Sequence, residues 1–510
     1  MRIEPRRGLH RYRRLIQIAF LILFFALLTL TVWPLGRLYL GAFLVADPLI
    51  ALNSLANGVW KPAMVVALAM LAAPLVLGRA FCGYVCPLGT TIELTGGTSR
   101  PSRLSPGTRS VLRRAPVFVL IFSAGLLLFA SGAFLLLDPL STLTRSATTL
   151  LYPLLDRLLR LLGDLLALVP WLERPVDGVT AALSGRLVFT HALTYSLALG
   201  VLAMLSAVLA ASWLEPRLWC RDACPLGALL GQVGRFGLVG RTVDADACIS
   251  CGKCARVCPL DAVSEDFHST DATRCQLGVE CADVCPTGAI SAGRTRASAK
   301  SVYTPSRRAF ALASVSALAI GFFGYTGLSR RVRDPRLIRP PGAQKENQLL
   351  ALCSRCGQCM KVWPSNVLQP SFVKAGPAGW FTPEMDYRIA SCEWSCSECG
   401  KVCPTGAIEP LELAEKRRTI IGRAYIDRSR CIPWVDGQTC LVCQELCPLP
   451  DKAIVIEDAE VVAPNGERVK LGRPVVREDL CIGCGVCQEN CPVPHESAII
   501  VYAVEPERRS

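Results

Sequence analysis

A chain of 510 residues that is 51% hydrophobic and still 19% charged, with 26 cysteines, is too long for one core and too rich in thiols for a plain membrane bundle. Its net charge of +14 gathers beside apolar runs, where arginine acts as a topology signal, so nucleic acid is excluded as the partner that the charge serves.

In chain order, Leu15–Trp33, Ala63–Gly78, Ala115–Leu137 and Leu187–Leu214 are apolar enough to predict transmembrane helices. Arg2, Arg6, Arg7, Arg11, Arg13 and Arg14 precede the first, and Arg79, Arg100, Arg103, Arg109, Arg113 and Arg114 follow the second, which puts both regions in the cytoplasm. The spans contain a duplication. Gly41-Ala-Phe-Leu-Val-Ala-Asp-Pro-Leu49 recurs as Gly132-Ala-Phe-Leu-Leu-Leu-Asp-Pro-Leu140, and Cys82-Gly-Tyr-Val-Cys-Pro-Leu-Gly89 as Cys220-Arg-Asp-Ala-Cys-Pro-Leu-Gly227. The expected fold is therefore an α-helical membrane domain over 1–242, four spans as a duplicated hairpin, joined to α+β bacterial-ferredoxin-like two-cluster modules. Tyr39–Leu55, broken by Asp47-Pro48, reads as re-entrant or interfacial, and the leucine-spaced Leu150–Val169 as lying along the outer interface.

A soluble module is expected over 243–292, a fifth apolar segment within 306–330, a basic Pro-containing linker over 330–342 and a second soluble domain over 347–504. Cysteines mark both soluble regions. Cys248, Cys251, Cys254 and Cys258, and again Cys481, Cys484, Cys487 and Cys491, have the x2, x2, x3 spacing with a following proline that bacterial ferredoxins use for [4Fe-4S] ligation. Closely spaced thiolates wrap one face of a cubane, and the fourth, after the proline turn, reaches the partner cluster. Zinc ribbons and disulfides are the competing explanations.

Pairing the remaining runs gives three two-cluster modules. In the first, Cys248, Cys251, Cys254 and Cys285 hold one cluster, while Cys258, Cys275 and Cys281 serve a second in which Gly278 stands where a ligand belongs. In the next, Cys353, Cys356, Cys359 and Cys403 make a full set, and Cys392, Cys396 and Cys399 lack the partner that Trp363 replaces. The last has two full sets: Cys431, Cys440, Cys443 and Cys491, and Cys447, Cys481, Cys484 and Cys487. About four to seven [4Fe-4S] clusters are expected, and a three-cysteine site could instead hold [3Fe-4S], a non-thiolate ligand, or nothing.

Cys82, Cys86, Cys220 and Cys224 fall at the cytoplasmic ends of the second and fourth spans, related by the repeat. They are candidate metal ligands for a further cluster, a dithiol relay beside a quinone, or plain buried cysteines. With four histidines, and His191 alone inside a span, a bis-His haem is not expected. Neither a dinucleotide fingerprint nor a covalent-flavin signature appears.

If the fifth segment crosses, the last domain lies outside the cytoplasm, and a cluster domain loaded before export must cross folded. Ser306-Arg307-Arg308-Ala309-Phe310 resembles the twin-arginine signal that directs folded proteins; the alternative is an ordinary anchor with a basic flank.

The Cys-x3-Cys-Pro-Leu-Gly repeats with the following ferredoxin unit resemble the membrane-bound (NapH-like) ferredoxin-type subunit of the periplasmic nitrate reductase system. The segment from about 306, with Ile338-Arg-Pro-Pro-Gly-Ala343 and Cys353-Ser-Arg-Cys-Gly-Gln-Cys359, is similar to its exported (NapG-like) subunit. The resemblance implies a fusion: a multi-pass inner-membrane protein taking electrons from quinol or a cytoplasmic donor, its exported half delivering them to a periplasmic reductase or cytochrome acceptor. Asp47 and Asp138 would take up quinol protons, or serve only as turn caps. The rival is a polyferredoxin metal reductase that reduces copper at the Cys-x3-Cys-Pro sites during oxidase assembly.

Overall fold

The computed structural model describes residues 9–31, 41–96, 104–129, 131–169, 171, 173–183, 193–294, 310–312, 314–316, 318–319, 334–362, 365–462 and 468–504. Arg307, Arg308, His191 and Trp363, and most of the fifth apolar segment, lie outside them.

Among the described residues one helical stretch, Arg11–Thr29 within helix Leu9–Thr29, is long and apolar enough to cross a membrane. Three apolar helices are shorter: Met64–Leu77, Ala115–Leu128 and Ala198–Leu214. Local chemistry shortens them. Pro74 has no N–H to donate and steps the second into Met64–Ala72 and Pro74–Leu77. The third stops at Leu128, and a 3-10 turn, Gly132–Leu137, follows, where the Ala351 carbonyl packs against Gly132. The fourth begins only at Ala198, after non-helical Leu193–Thr194 and a turn.

The two Asp-Pro steps start helices Pro48–Ala56 and Pro139–Ser146. Proline fits the first helical position, and the preceding carboxylate caps the free N–H groups: Asp47 Oδ1 accepts from Leu49 N at 2.8 Å, Asp138 Oδ2 from Ser141 N at 2.7 Å. Both aspartates are fully buried, and their carboxyl groups neighbour one another. From Ser146 the chain passes through a π turn, Ala147–Leu151, into Tyr152–Ala167. That helix buries Asp156 and leaves Leu154, Leu158, Leu161 and Leu165 exposed.

The cysteine-rich regions carry little regular structure. Antiparallel strands Val239–Val243 and Ile290–Arg294 close the first module. Arg423–Ile426 and Ile499–Tyr502 close the last in the same way, and a nine-residue hairpin, Ile454–Val462 with Arg468–Val476, stands out from it. The middle module has the short pair Leu368–Pro370 and Pro383–Met385. Helices between them, such as Lys253–Arg256 and Val486–Glu489, are single turns.

These modules pack on opposite ends of the helical layer. Before helix Met64–Ala72, Lys61 Nζ donates to Cys403 O at 3.0 Å; past its other end, Gly78 faces Cys275 O. Ahead of Ala115–Leu128, Arg113 pairs with Asp261 at 2.5 Å, and beyond it Gly132 O accepts from Arg355. Before Ala198–Leu214, Thr194 O accepts from Asn366 Nδ2 at 2.8 Å; after it, Arg217 reaches Gln276 at 2.7 Å.

Glu93 ties together the end that faces the 243–292 module. Its carboxylate pairs with Arg13 and Arg217 and accepts from Gln17 Nε2 at 2.9 Å, while Arg13 also pairs with Glu280 at 2.7 Å. Burial alone pushes the Glu93 carboxyl up, but the guanidinium groups of Arg217 and Arg13 prevail and hold it below the ordinary glutamate value. Because the folded value is depressed, this stabilisation is present above the unfolded value and is lost as pH falls through the folded one. Glu93→Gln leaves Arg217 buried without its ion-pair partner and Arg13 with Glu280 alone, and is expected to cost about 3–5 kcal/mol. Thermal unfolding in detergent should show that loss at neutral pH, with the gap to wild type narrowing as the medium is acidified.

Candidate iron-sulfur centres

Three cysteine sets expected from spacing line three separate cavities. Cys248, Cys251, Cys254 and Cys285 line one. Cys353, Cys356, Cys359 and Cys403 line another, and Cys431, Cys440, Cys443 and Cys491 a third. The eight-residue insertion after Cys431 folds aside as helix Ile432–Val435 and a turn, so it does not disturb that set. The other sets are recognisable from mutual electrostatics: Cys484, Cys481 and Cys447 act on Cys487, Cys275 and Cys258 on Cys281, and Cys392 and Cys396 on Cys399.

The loops have the shape of a cubane wrap. Residues on either side of the second ligand take left-handed backbone: Ser250 and Gly252 around Cys251, Arg355 and Gly357 around Cys356, Gly483 and Gly485 around Cys484. This alternation coils three residues around one centre and turns backbone N–H groups toward sulfur. Arg355 N donates to Cys353 Sγ, Ile408 N to Cys403 Sγ, Ala424 N to Cys481 Sγ and Ala498 N to Cys491 Sγ, each at 3.4 Å. Such bonds stabilise thiolate and set cluster potential. Among the described residues no three His, Cys, Asp or Glu side chains converge as ligands of a single metal ion would. Cavities ringed by four sulfurs, the wrapped loops and the N–H to sulfur bonds all fit an iron-sulfur cage.

Adjacent sets form a line in the C-terminal domain. Cys399 acts on Cys359, Cys392 on Cys484 and Cys443 on Cys487. The middle and last modules are locked at this point: Cys392 N donates to Cys484 O at 2.9 Å and Tyr387 Oη to Gly483 O at 2.5 Å.

The Cys-x3-Cys-Pro pairs converge. Cys82 and Cys220 both act on Cys86 and on Cys224, and all four are buried. Burial first, and these neighbouring charges next, push the Cys86 and Cys224 thiols up. Each of those two stands at the start of a helix, Pro87–Gly96 or Pro225–Gly234, and its sulfur accepts a backbone N–H, from Gly89 at 3.5 Å and from Gly227 at 3.2 Å. A π turn, Trp219–Ala223, presents Cys220.

Two arginines cross-link the repeats. Arg217 Nη1 donates to Cys82 O at 3.0 Å, and Arg79 Nη2 to Cys220 O at 2.9 Å, each arginine lying three residues before the first cysteine of its own motif. The same arginines hold the first module, Arg79 through Thr273 O at 3.1 Å and Arg217 through Gln276, so the Cys275 loop sits on the four-thiol floor. Cys82 and Cys224 share an apolar core with Leu44, Leu49, Leu226 and Cys356.

Residues that motif reading missed are charged and buried. Arg241 Nη2 donates to Cys254 Sγ at 3.5 Å and acts on Cys275 and Cys281. Lys416 faces Cys392, Cys396 and Cys399. Lys361, beside Cys359, lies over the Tyr152 ring at 4.2 Å, and burial lowers its ammonium to about 7. No spacing rule marks Arg241, Lys416 or Lys361. Arg79 and Arg217 were detectable, since they occupy matching positions of the internal repeat.

Models described as "4Fe-4S binding domain" match this chain at residues 60–105 and 197–242, covering both Cys-x3-Cys-Pro motifs, and at 241–264 and 474–494. The methylamine utilization ferredoxin-type protein MauM of Methylorubrum extorquens is 32% identical over 191 residues, 36% of this chain and 82% of that protein. The ferredoxin-type protein NapG of Escherichia coli is 34% identical over 182 residues, 35% of this chain and 74% of its own length. MauN of Methylobacillus flagellatus is 27% identical over 268 residues, half of this chain and 78% of MauN. No solved structure matches. With these relatives, two cluster-domain matches and sulfur-ringed cavities, the chain carries multiple [4Fe-4S] clusters and belongs to the ferredoxin-type iron-sulfur protein family that includes MauM and NapG.

Proposed function

We propose that the chain is a membrane-bound iron-sulfur conduit that passes electrons from quinol or a cytoplasmic donor to an extracytoplasmic reductase or cytochrome. One observation carries this reading: three apolar helices each meet the 243–292 module at one end and the 347–504 domain at the other. The helix surface between those ends supports a lipid setting, with Val65, Leu75, Leu128, Leu199 and Leu202 exposed, and so does the basic cluster of Arg11, Arg14, Arg109, Arg113 and Arg114 at the inner end. The family resemblance and the twin-arginine-like Arg307-Arg308 point the same way.

When bound, the clusters supply single-electron transfer at potentials set by the protein. The chain's residues do the rest. Thiolates would fix each site, and backbone N–H groups and the cations Arg241 and Lys416 offset negative charge beside sulfur. The inner relay runs from the four-thiol floor to the Cys275 loop and on to the Cys248 set; the outer one runs from the Cys353 set to the Cys431 set. Between them lies the apolar core shared by Cys82 and Cys356. Asp47 and Asp138, side by side and fully buried, would receive protons released by quinol.

Membranes containing the chain should show cluster reduction with excess quinol, followed by electron paramagnetic resonance. Cys86→Ser and Cys224→Ser should each slow it about tenfold or more. Wild-type clusters that stay oxidised under quinol while copper ions are readily reduced would favour the maturation role instead. A periplasm-specific reporter fused after Ser510 should be active; activity only of a cytoplasmic reporter would rule out the crossing.

A further inference from the structure

Gly278 interrupts one ligand set, and a carboxylate occupies the space beside it. The loop Cys275–Cys281 retains the wrap of the complete sites, with left-handed backbone on either side of its second-ligand position: Leu277 at φ 54° and Val279 at φ 60°. Glycine takes such angles freely, but a leucine and a β-branched valine do so only against steric cost. A loop released from holding a cluster would have no reason to keep both.

The space that a side chain at 278 would enter is occupied. A Cβ on Gly278 would fall onto Glu280 Oε2, with Arg13 Nη1 3.0 Å away. The other carboxylate oxygen, Oε1, pairs with buried Arg13 at 2.7 Å, which fixes the group and leaves Oε2 turned to the cysteine loop. Glu280 is an electrostatic neighbour of both Cys258 and Cys281. An oxygen that crowds the place of an absent Cys side chain, inside a ligand-wrapping loop, has the chemistry of an iron ligand.

We propose that Glu280 is the fourth, non-thiolate ligand of the site formed by Cys258, Cys275 and Cys281, and that Arg13 is a positioning residue that aims its carboxylate. Oε2 would donate a lone pair to the iron that lacks a thiolate, so that a four-iron cluster is completed without a fourth cysteine. The inference rests on the chain's carrying [4Fe-4S] clusters and is independent of its donor and acceptor.

The test uses the full chain, purified anaerobically, with iron, acid-labile sulfide and electron paramagnetic resonance as readouts. Relative to wild type, Glu280→Ala and Glu280→Gln should each lose about one iron atom per chain at unchanged sulfide and gain a three-iron signal on oxidation. The paired change Gly278→Cys with Glu280→Ala should restore the wild-type iron content, which controls for folding of the loop. Two results would overturn the proposal: Glu280→Ala with wild-type iron and spectrum, or the paired variant holding more iron than wild type, which would mean that the native site lacks its fourth iron. Arg13→Lys should keep the iron content while shifting the midpoint potential of this cluster alone; loss of iron from Arg13→Lys equal to that from Glu280→Ala would remove Arg13 from a purely positioning role.

Discussion

The bond between thiolate sulfur and iron governs this molecule, because it asks the polypeptide for shapes that ordinary folding would avoid. Buried thiols are raised by loss of water and by one another, as at Cys359 and Cys487, and metal binding offsets that cost by replacing the proton. The backbone then follows the cage. Left-handed residues flank the second ligand in loop after loop, helices shrink to single turns, and sheets reduce to pairs of strands. The first module has only a small core of its own, around Val263 and Ile290, so metal binding there is coupled to folding.

Attachment of these modules relies on a second interaction, buried arginine. Arg79, Arg217 and Arg13 are each about 2% exposed, and each bridges a helical element and the first module. At the far end Arg145 and Arg355 do the same for the C-terminal domain, through Arg355 O and Gly132 O. Breaking such contacts is costly because the arginine cannot shed its charge. Cluster-bearing units are therefore held in fixed register with the helices, as short-range electron transfer between sites demands.

The candidate ligands come from spacing, since Cys-x2-Cys-x2-Cys-x3-Cys-Pro encodes the geometry of a cage almost directly. Cys285, Cys403 and Cys491 also complete the cavities to which pairing of motifs assigned them. The repeat was legible as well, and it brings Cys82, Cys86, Cys220 and Cys224 together. Helix ends were less readable: hydropathy extends Ala115–Leu137 as one run, but the helix stops at Leu128 and the rest is a 3-10 turn packed on Ala351, more than two hundred residues away in sequence. Glu280 was invisible for a similar reason. An acidic residue between ligand cysteines looks like solvent-facing charge until its distance to Gly278 is known.

The exchanged arginines carry one more consequence. In each half of the duplication the guanidinium leaves its own motif and closes the cysteine turn of the other, so Arg79 does for Cys220 what Arg217 does for Cys82. A contact in which one half meets the other through the same residues in both directions is the hallmark of two-fold symmetry between identical subunits. The tandem halves meet in the manner of an isologous dimer inside a single polypeptide, and each cysteine turn is closed by a residue of its twin.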